Sequence, residues 1–115
     1  MLPIQFRLKS RKDFNDIFRR GKTVSNEVLV MKYEEAEGEN LKIGFSVGLK
    51  FSKKASRRNK VKRWLREAAR AIVKDIKPGH QIVFVINSKF PYEQMDYSLI
   101  RGKTENLLRK EKLLK

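Results

Sequence analysis

The chain has 115 residues, with 28 Lys and Arg against 13 Asp and Glu, a net charge of +15, one His and no Cys. That length predicts one domain, residues 1–115, with a single modest core. The missing cysteines exclude disulfides, thiolate metal sites and cysteine nucleophiles. The basic balance points to nucleic acid or an anionic membrane surface, and no apolar run is long enough to span a bilayer. The first seven residues lack the apolar core of a secretory signal, so a cytoplasmic protein is expected.

Ser10-Arg11-Lys12-Asp13 has the form of a capping box with Asp in place of Glu. Phe14, Ile17 and Phe18 follow at helical spacing before Gly21, which predicts a short first helix with an aromatic stripe. Val28 to Tyr33 reads as a strand, with a shorter one at Thr23-Val24. After the turn residues Glu37 to Asn40, Leu41, Ile43, Phe45 and Val47 alternate with Lys42, Gly44 and Ser46. This alternation predicts a hairpin partner for the preceding strand, with a small, polar second face suited to floor a groove.

The loop from Gly48 to Ala55 carries Lys50, Lys53 and Lys54 into the most basic segment. Between Lys53 and Lys74 stand ten Lys or Arg and one acid, Glu67. At 100° per residue Val61, Trp64, Leu65, Ala68, Ala71 and Ile72 gather on one side, with Arg58, Asn59, Lys62, Arg63, Arg66, Arg70 and Lys74 on the other. Ser56 is the expected N-cap, and the helix is read over Arg57 to Asp75, about 28 Å at 1.5 Å per residue. With acids nearly absent, pairing along the helix cannot neutralise its charged face.

Pro78-Gly79 ends that element. Ile82 to Ile86 is apolar on both faces, as a central strand covered on each side should be. Beyond Pro91 an incomplete apolar face from about Asp96 to Leu114 predicts a last helix. The order is helix, two or three strands, basic helix, strand, helix: an α/β (α+β) sandwich of one sheet and a helical layer.

The residues offer little for protein-borne catalysis. The local acids Glu34, Glu35, Glu37 and Glu39 sit on a turn, His80 has no second His or triad partner, and the six glycines form no phosphate loop. RNA or DNA binding needs cations for phosphate and flat faces for bases, and Phe14, Phe18, Tyr33 and Phe51 are candidates for the latter. By spacing alone Phe14 and Phe18 read as core, and Trp64 as packed under the sheet.

The run Arg58-Asn59-Lys60-Val61-Lys62-Arg63-Trp64-Leu65-Arg66-Glu67 resembles the Arg-Asn-Arg motif of the protein component of bacterial ribonuclease P. The likeness extends to Phe14 and Phe18 ahead of Gly21-Lys22, to Ile43-Gly44-Phe45-Ser46-Val47 leading into lysines, and to Pro78-Gly79 before an apolar strand. It implies an α-β-β-β-α-β-α fold with one mixed four-stranded sheet, like the second domain of a small-subunit ribosomal protein, and a left-handed crossover through the basic helix. It further implies an accessory subunit of an endoribonuclease whose RNA, with Mg²⁺, cuts the 5′ leader from precursor tRNA. The expected partners are ribonuclease P RNA and precursor tRNA, with no DNA and no membrane. Carried over by position, Arg58, Asn59, Lys60, Lys62, Arg63 and Arg66 would meet RNA, joined by Arg57, Lys53 and Lys54. Phe14, Phe18, Tyr33 and Lys50 would line the leader cleft, and no residue of the chain would be catalytic or hold a metal. Here the loop from Ser52 to Arg57 departs from the Gly-x-Ala step common in the family, and His80-Gln81 stands where an acid is frequent. A structural RNA-binding protein of ribosomal type would share the charge without needing a leader cleft.

Overall fold

The computed structural model describes residues 2–115. The first helix, α1 (Arg11–Arg20), starts where Ser10 Oγ accepts the amide of Asp13 at 3.4 Å and stops at Gly21, whose N–H reaches the Ile17 carbonyl at 2.8 Å. Strands β1 (Lys22–Ser25), β2 (Leu29–Glu35) and β3 (Leu41–Ser46) follow. The basic helix α2 (Ala55–Ile72) tightens into a 3₁₀ turn at Val73–Asp75 before β4 (His80–Ile86). Asp96 then caps α3 (Tyr97–Lys110), accepting the Leu99 amide at 2.7 Å.

The basic helix begins two residues earlier than its sequence suggests. Lys54 is the N-cap and contributes no side-chain cap, while Ser56 lies inside the first turn. Ser52 does the anchoring instead: its Oγ accepts the Lys54 amide at 3.1 Å, and its carbonyl accepts Arg58 Nη1 at 2.8 Å.

The strands lie in the order β1-β2-β4-β3. β2 pairs antiparallel with β1 and with β4, so that Met31 faces both Val24 and Phe84, and β3 runs parallel to β4 with Ile43 beside Ile82. The expected hairpin between β2 and β3 is therefore not formed. β4 is inserted between them because its side chains are apolar on both faces and gain most from the centre of the sheet. The turn from Glu37 to Asn40 carries the chain past that gap instead of folding it back, and Gly79, at φ +87°, closes the junction by donating to the Asn40 carbonyl at 2.7 Å. α2 is the crossover between the parallel strands, the β-α-β connection that the resemblance implies.

One sheet face carries Leu29, Met31, Tyr33, Ile82, Phe84 and Ile86 into a core shared with Val61, Leu65, Ala68, Ala69 and Ile72 of α2 and Ile100, Leu107 and Leu108 of α3. The stripe of α2 is rotated from the expected one: Ala69 is buried and Ala71 exposed. Trp64 is half-buried at the stripe's edge, stacked on Tyr92 rather than seated beneath the sheet. α1 covers the other face, where Ile17 meets Val83 and Leu8 in a smaller cluster flanked by Phe14 and Val85.

α1 can lie close because β3 has a glycine under it. A Cβ built at Gly44 would stand 2.5 Å from Phe14 Cζ. Gly44→Ala should therefore cost about 1–3 kcal/mol in urea unfolding, and most of that cost should vanish in a Phe14→Ala background; equal costs in both backgrounds would show that the ring does not rest there.

Candidate nucleic-acid interface

α2 spans 18 residues, about 27 Å at 1.5 Å per residue. Its buried stripe leaves Asn59, Lys60, Arg63, Arg66 and Arg70 exposed and Lys62 half-buried. Glu67 lies 3.6 Å from Arg70, and among the described residues no acid is paired with Lys62, Arg63 or Arg66. Ser56, Asn59, Lys60, Arg63, Arg66 and Glu67 line an open hollow along the helix. The arrangement concentrates positive potential on one surface, where an anionic backbone would find several cations at successive helical turns.

Two arginines of the motif region are partly committed elsewhere. Arg58 spends a guanidinium N–H on the Ser52 carbonyl and so fixes the loop. Arg57 lies 4.7 Å over the Tyr92 ring and 3.2 Å from Glu93, which ties the start of α2 to the segment before α3. Lys53 and Lys54 are exposed in the preceding loop, at the end of the same surface.

The second element is a groove beside α1. Strand register puts Thr23, Lys32, Val83 and Gly44 in one row across the sheet and Ser25, Val30, Val85 and Ser46 in the next, all on the face that carries α1. Phe14 and Ile17 cover Gly44 and Val83. The neighbouring row is left half-open: Val30, Val85 and Ser46 are only partly buried. Phe18 is 40% exposed, with Lys32 Nζ 5.8 Å over its ring. An exposed aromatic face with a cation on it, next to a shallow apolar floor, suits an unstacked base followed by its phosphate.

Tyr33 does not belong to that groove. Side chains alternate along β2, so a strand that presents Val30 and Lys32 to α1 must turn Tyr33 toward the opposite core. There it is 8% exposed, and its hydroxyl donates to Glu111 Oε1 at 2.7 Å. Lys50 stands exposed on the turn after β3, past the Ser46 end of the open row, and has no ring or ion contact with Phe14 or Phe18. The sequence reading had the small face of β3 with Gly44 and Ser46 as a groove floor but missed Lys32, Val30 and Val85. The only signal for Lys32 was a charge inside an apolar strand, and the others depended on knowing the strand order. It also missed Tyr92, whose role depends on a loop folding back over α2.

No helix among the described residues is long and apolar enough to cross a membrane. A family model described as Ribonuclease P matches residues 2–112 of the chain. The ribonuclease P protein component of Oceanobacillus iheyensis is 37% identical over 112 residues, covering 96% of this chain and 90% of the relative. That of Thermotoga maritima is 38% identical over 106 residues, covering 90% of each. The fold agrees as well: the RNase P protein of Staphylococcus aureus superposes with a TM-score of 0.83 at 27% identity, over 96% of this chain and 98% of that one. The Thermotoga maritima structure gives 0.80 at 37% identity, over 90% and 96%.

The Tyr33–Glu111 contact generates a pH dependence. Burial first, then the hydrogen bond to the carboxylate and its negative charge, push the Tyr33 phenol up to about 12. The native state thus favours the neutral phenol, whose contribution is complete below the ordinary tyrosine value of about 10 and is lost as pH rises from there to about 12. Tyrosinate absorbance should show a last step near pH 12 that Tyr33→Phe removes, and any stability advantage of the wild type over the variant should shrink across that window.

Proposed function

Because the chain belongs to the ribonuclease P protein family, we propose that its two surfaces divide the RNA between them: α2 lies against the catalytic RNA, and the groove beside α1 takes the single-stranded 5′ leader of precursor tRNA. As the protein subunit of this endoribonuclease, the chain binds RNA and serves tRNA processing, with bond cleavage performed by the RNA subunit. The observation that carries the division is the run of Lys62, Arg63 and Arg66, unpaired with any acid among the described residues, on a helix separated by the sheet from the exposed Phe18–Lys32 pair.

On this reading Lys60, Lys62, Arg63 and Arg66 neutralise phosphates, and Asn59 adds a donor and an acceptor among them. Lys53, Lys54 and the free edges of Arg57 and Arg58 extend the field toward the loop, with Lys50 beyond it. Phe18 and Phe14 offer stacking faces, while Lys32 supplies the charge for an adjacent phosphate. Screening by salt weakens every one of the ionic contacts.

Ribonuclease P is a metal-dependent ribonucleoprotein, and we take its ion to be Mg²⁺ held by RNA. Among the described residues no three His, Asp or Glu side chains gather closely enough to hold an ion, and no step runs through one here. The protein's contribution is to bring two polyanions together and to lower the Mg²⁺ needed for their approach. A cytoplasmic location, with neither DNA nor membrane as partner, belongs to the same proposal.

Incubating precursor tRNA at low Mg²⁺ with the protein, with a bacterial ribonuclease P RNA, and with both should give cleavage only by the pair; no stimulation of the RNA would overturn the reading. Phe18→Ala should weaken binding of leader-bearing precursor by about tenfold and leave mature tRNA nearly unaffected. Equal losses for the two would remove Phe18 from the leader groove.

A further inference from the structure

We propose that a small pocket at the β3 edge, lying between the two surfaces above and sharing Phe14 with one and Lys62 and Arg66 with the other, receives one unpaired ribonucleotide, with its base against Phe14 and Phe45 and its phosphate on Arg7, Lys62 and Arg66. The inference rests on the RNA-binding reading and adds to it a specific point of contact.

The pocket is a product of how the sheet ends. Residues 7 and 8 run beside β3, with an Arg7–Ile43 bridge and the Leu8 amide donating to the Ile43 carbonyl at 3.0 Å. Phe14 descends onto Gly44 on one side of the strand, where even a Cβ would collide with its ring. Phe45 points to the opposite side, stacked on Phe84 at 6.4 Å and 17°. Between them remains a space of about 180 Å³ into which α2 reaches with Lys62 and Arg66. That is below the roughly 300–1,000 Å³ of pockets for drug-sized ligands, and so suits one nucleotide unit at most.

Its chemistry selects the occupant. The lining includes Arg7, Lys9, Lys62 and Arg66, and none of the described residues lining it is acidic. Arg7 is half-buried and uses only Nε, on the Leu2 carbonyl at 2.7 Å, which holds the guanidinium in place with its outer nitrogens left for a ligand. Arg7 and Lys62 are half-buried with no described acid beside them, which favours an anion, and the rings of Phe14 and Phe45 beside apolar Leu8 and Ile43 favour a flat apolar group. A nucleotide supplies both in one covalent unit. The location agrees, because the lining joins Phe14 of α1 to Lys62 and Arg66 of α2, so a strand passing between the groove and the basic helix crosses this edge.

The nucleotide can come from the catalytic RNA or from the precursor, and one experiment separates them. A bacterial ribonuclease P RNA and a precursor tRNA, each substituted with 4-thiouridine, are bound to the full chain in separate arms, irradiated, and the cross-linked peptides mapped. Affinities for both RNAs are measured in parallel for wild type, Phe45→Leu and Arg7→Ala. The proposal expects cross-links at Arg7 or Phe45 in one arm, and about 5- to 100-fold weaker binding of that same RNA by each variant at an unchanged urea midpoint. Cross-links confined to Phe14 and Phe18, no cross-link in either arm, or folded variants that bind both RNAs as wild type does would overturn it. Should Phe45→Leu fail to fold, the wild-type cross-link map and Arg7→Ala decide. If the wild-type protein binds RNA without stimulating cleavage, the subunit reading fails while the pocket is still decided by its own cross-links and affinities.

Discussion

Burial of β4 on both faces is the constraint from which the rest of the molecule follows. Val83 and Val85 look one way, and Ile82, Phe84 and Ile86 the other, so one helical layer cannot cover the strand. α2 and α3 take the larger face and α1 the smaller one. Each aliphatic side chain removed from water is worth about 1.5–3 kcal/mol, which gives the two faces a shared stake in β4's central position. The consequence for function is geometric: the helix bearing the cations and the helix bearing the exposed aromatic are fixed on opposite sides of the same strand. A thin sheet thus becomes a divider between the two surfaces.

The electrostatics run against folding and toward binding. A net charge of +15 on 115 residues repels itself, most of all along α2, and the few ion pairs present do not neutralise Lys62, Arg63 or Arg66. The protein offsets that repulsion with apolar burial beneath the helix and by fastening its first turn, through Arg58 to Ser52 and Arg57 to Tyr92 and Glu93. A polyanion removes the repulsion when it binds, so RNA stabilises the fold by the same contacts that hold the complex together. Arginines that look equivalent in a list of charges therefore differ in kind: some hold the helix in place and others remain open to phosphate.

Much of this was legible in the sequence, and what was not has definable causes. The capped first helix, the basic helix and the two-sided strand at Ile82 to Ile86 each carry a local signal, and the order of residues from Arg58 to Glu67 identifies the family where charge alone left RNA, DNA and membrane open. Strand order was hidden, because two β-rich runs joined by a short turn look alike whether they pair or admit a third strand between them. The error at Tyr33 has a similar origin: an apolar run of Val28 to Met31 conceals which side chains face which way until the register is known. The start of α2 was misplaced because Ser52 anchors it from outside the usual capping position. The β3-edge pocket lay out of reach, since it joins residues near positions 7, 14, 45 and 66.

Trp64 is the only tryptophan in the chain. It sits on α2 at the edge of the charged face, stacked on Tyr92 at 6.3 Å and 15°, with the Lys60 ammonium 5.4 Å from its ring. An indole that touches both a neighbouring phenol and a cation that phosphate can draw away would respond to the arrival of RNA. The protein thus carries its own optical probe at the edge of the surface proposed for RNA, and ultraviolet emission can follow docking there in real time without any label.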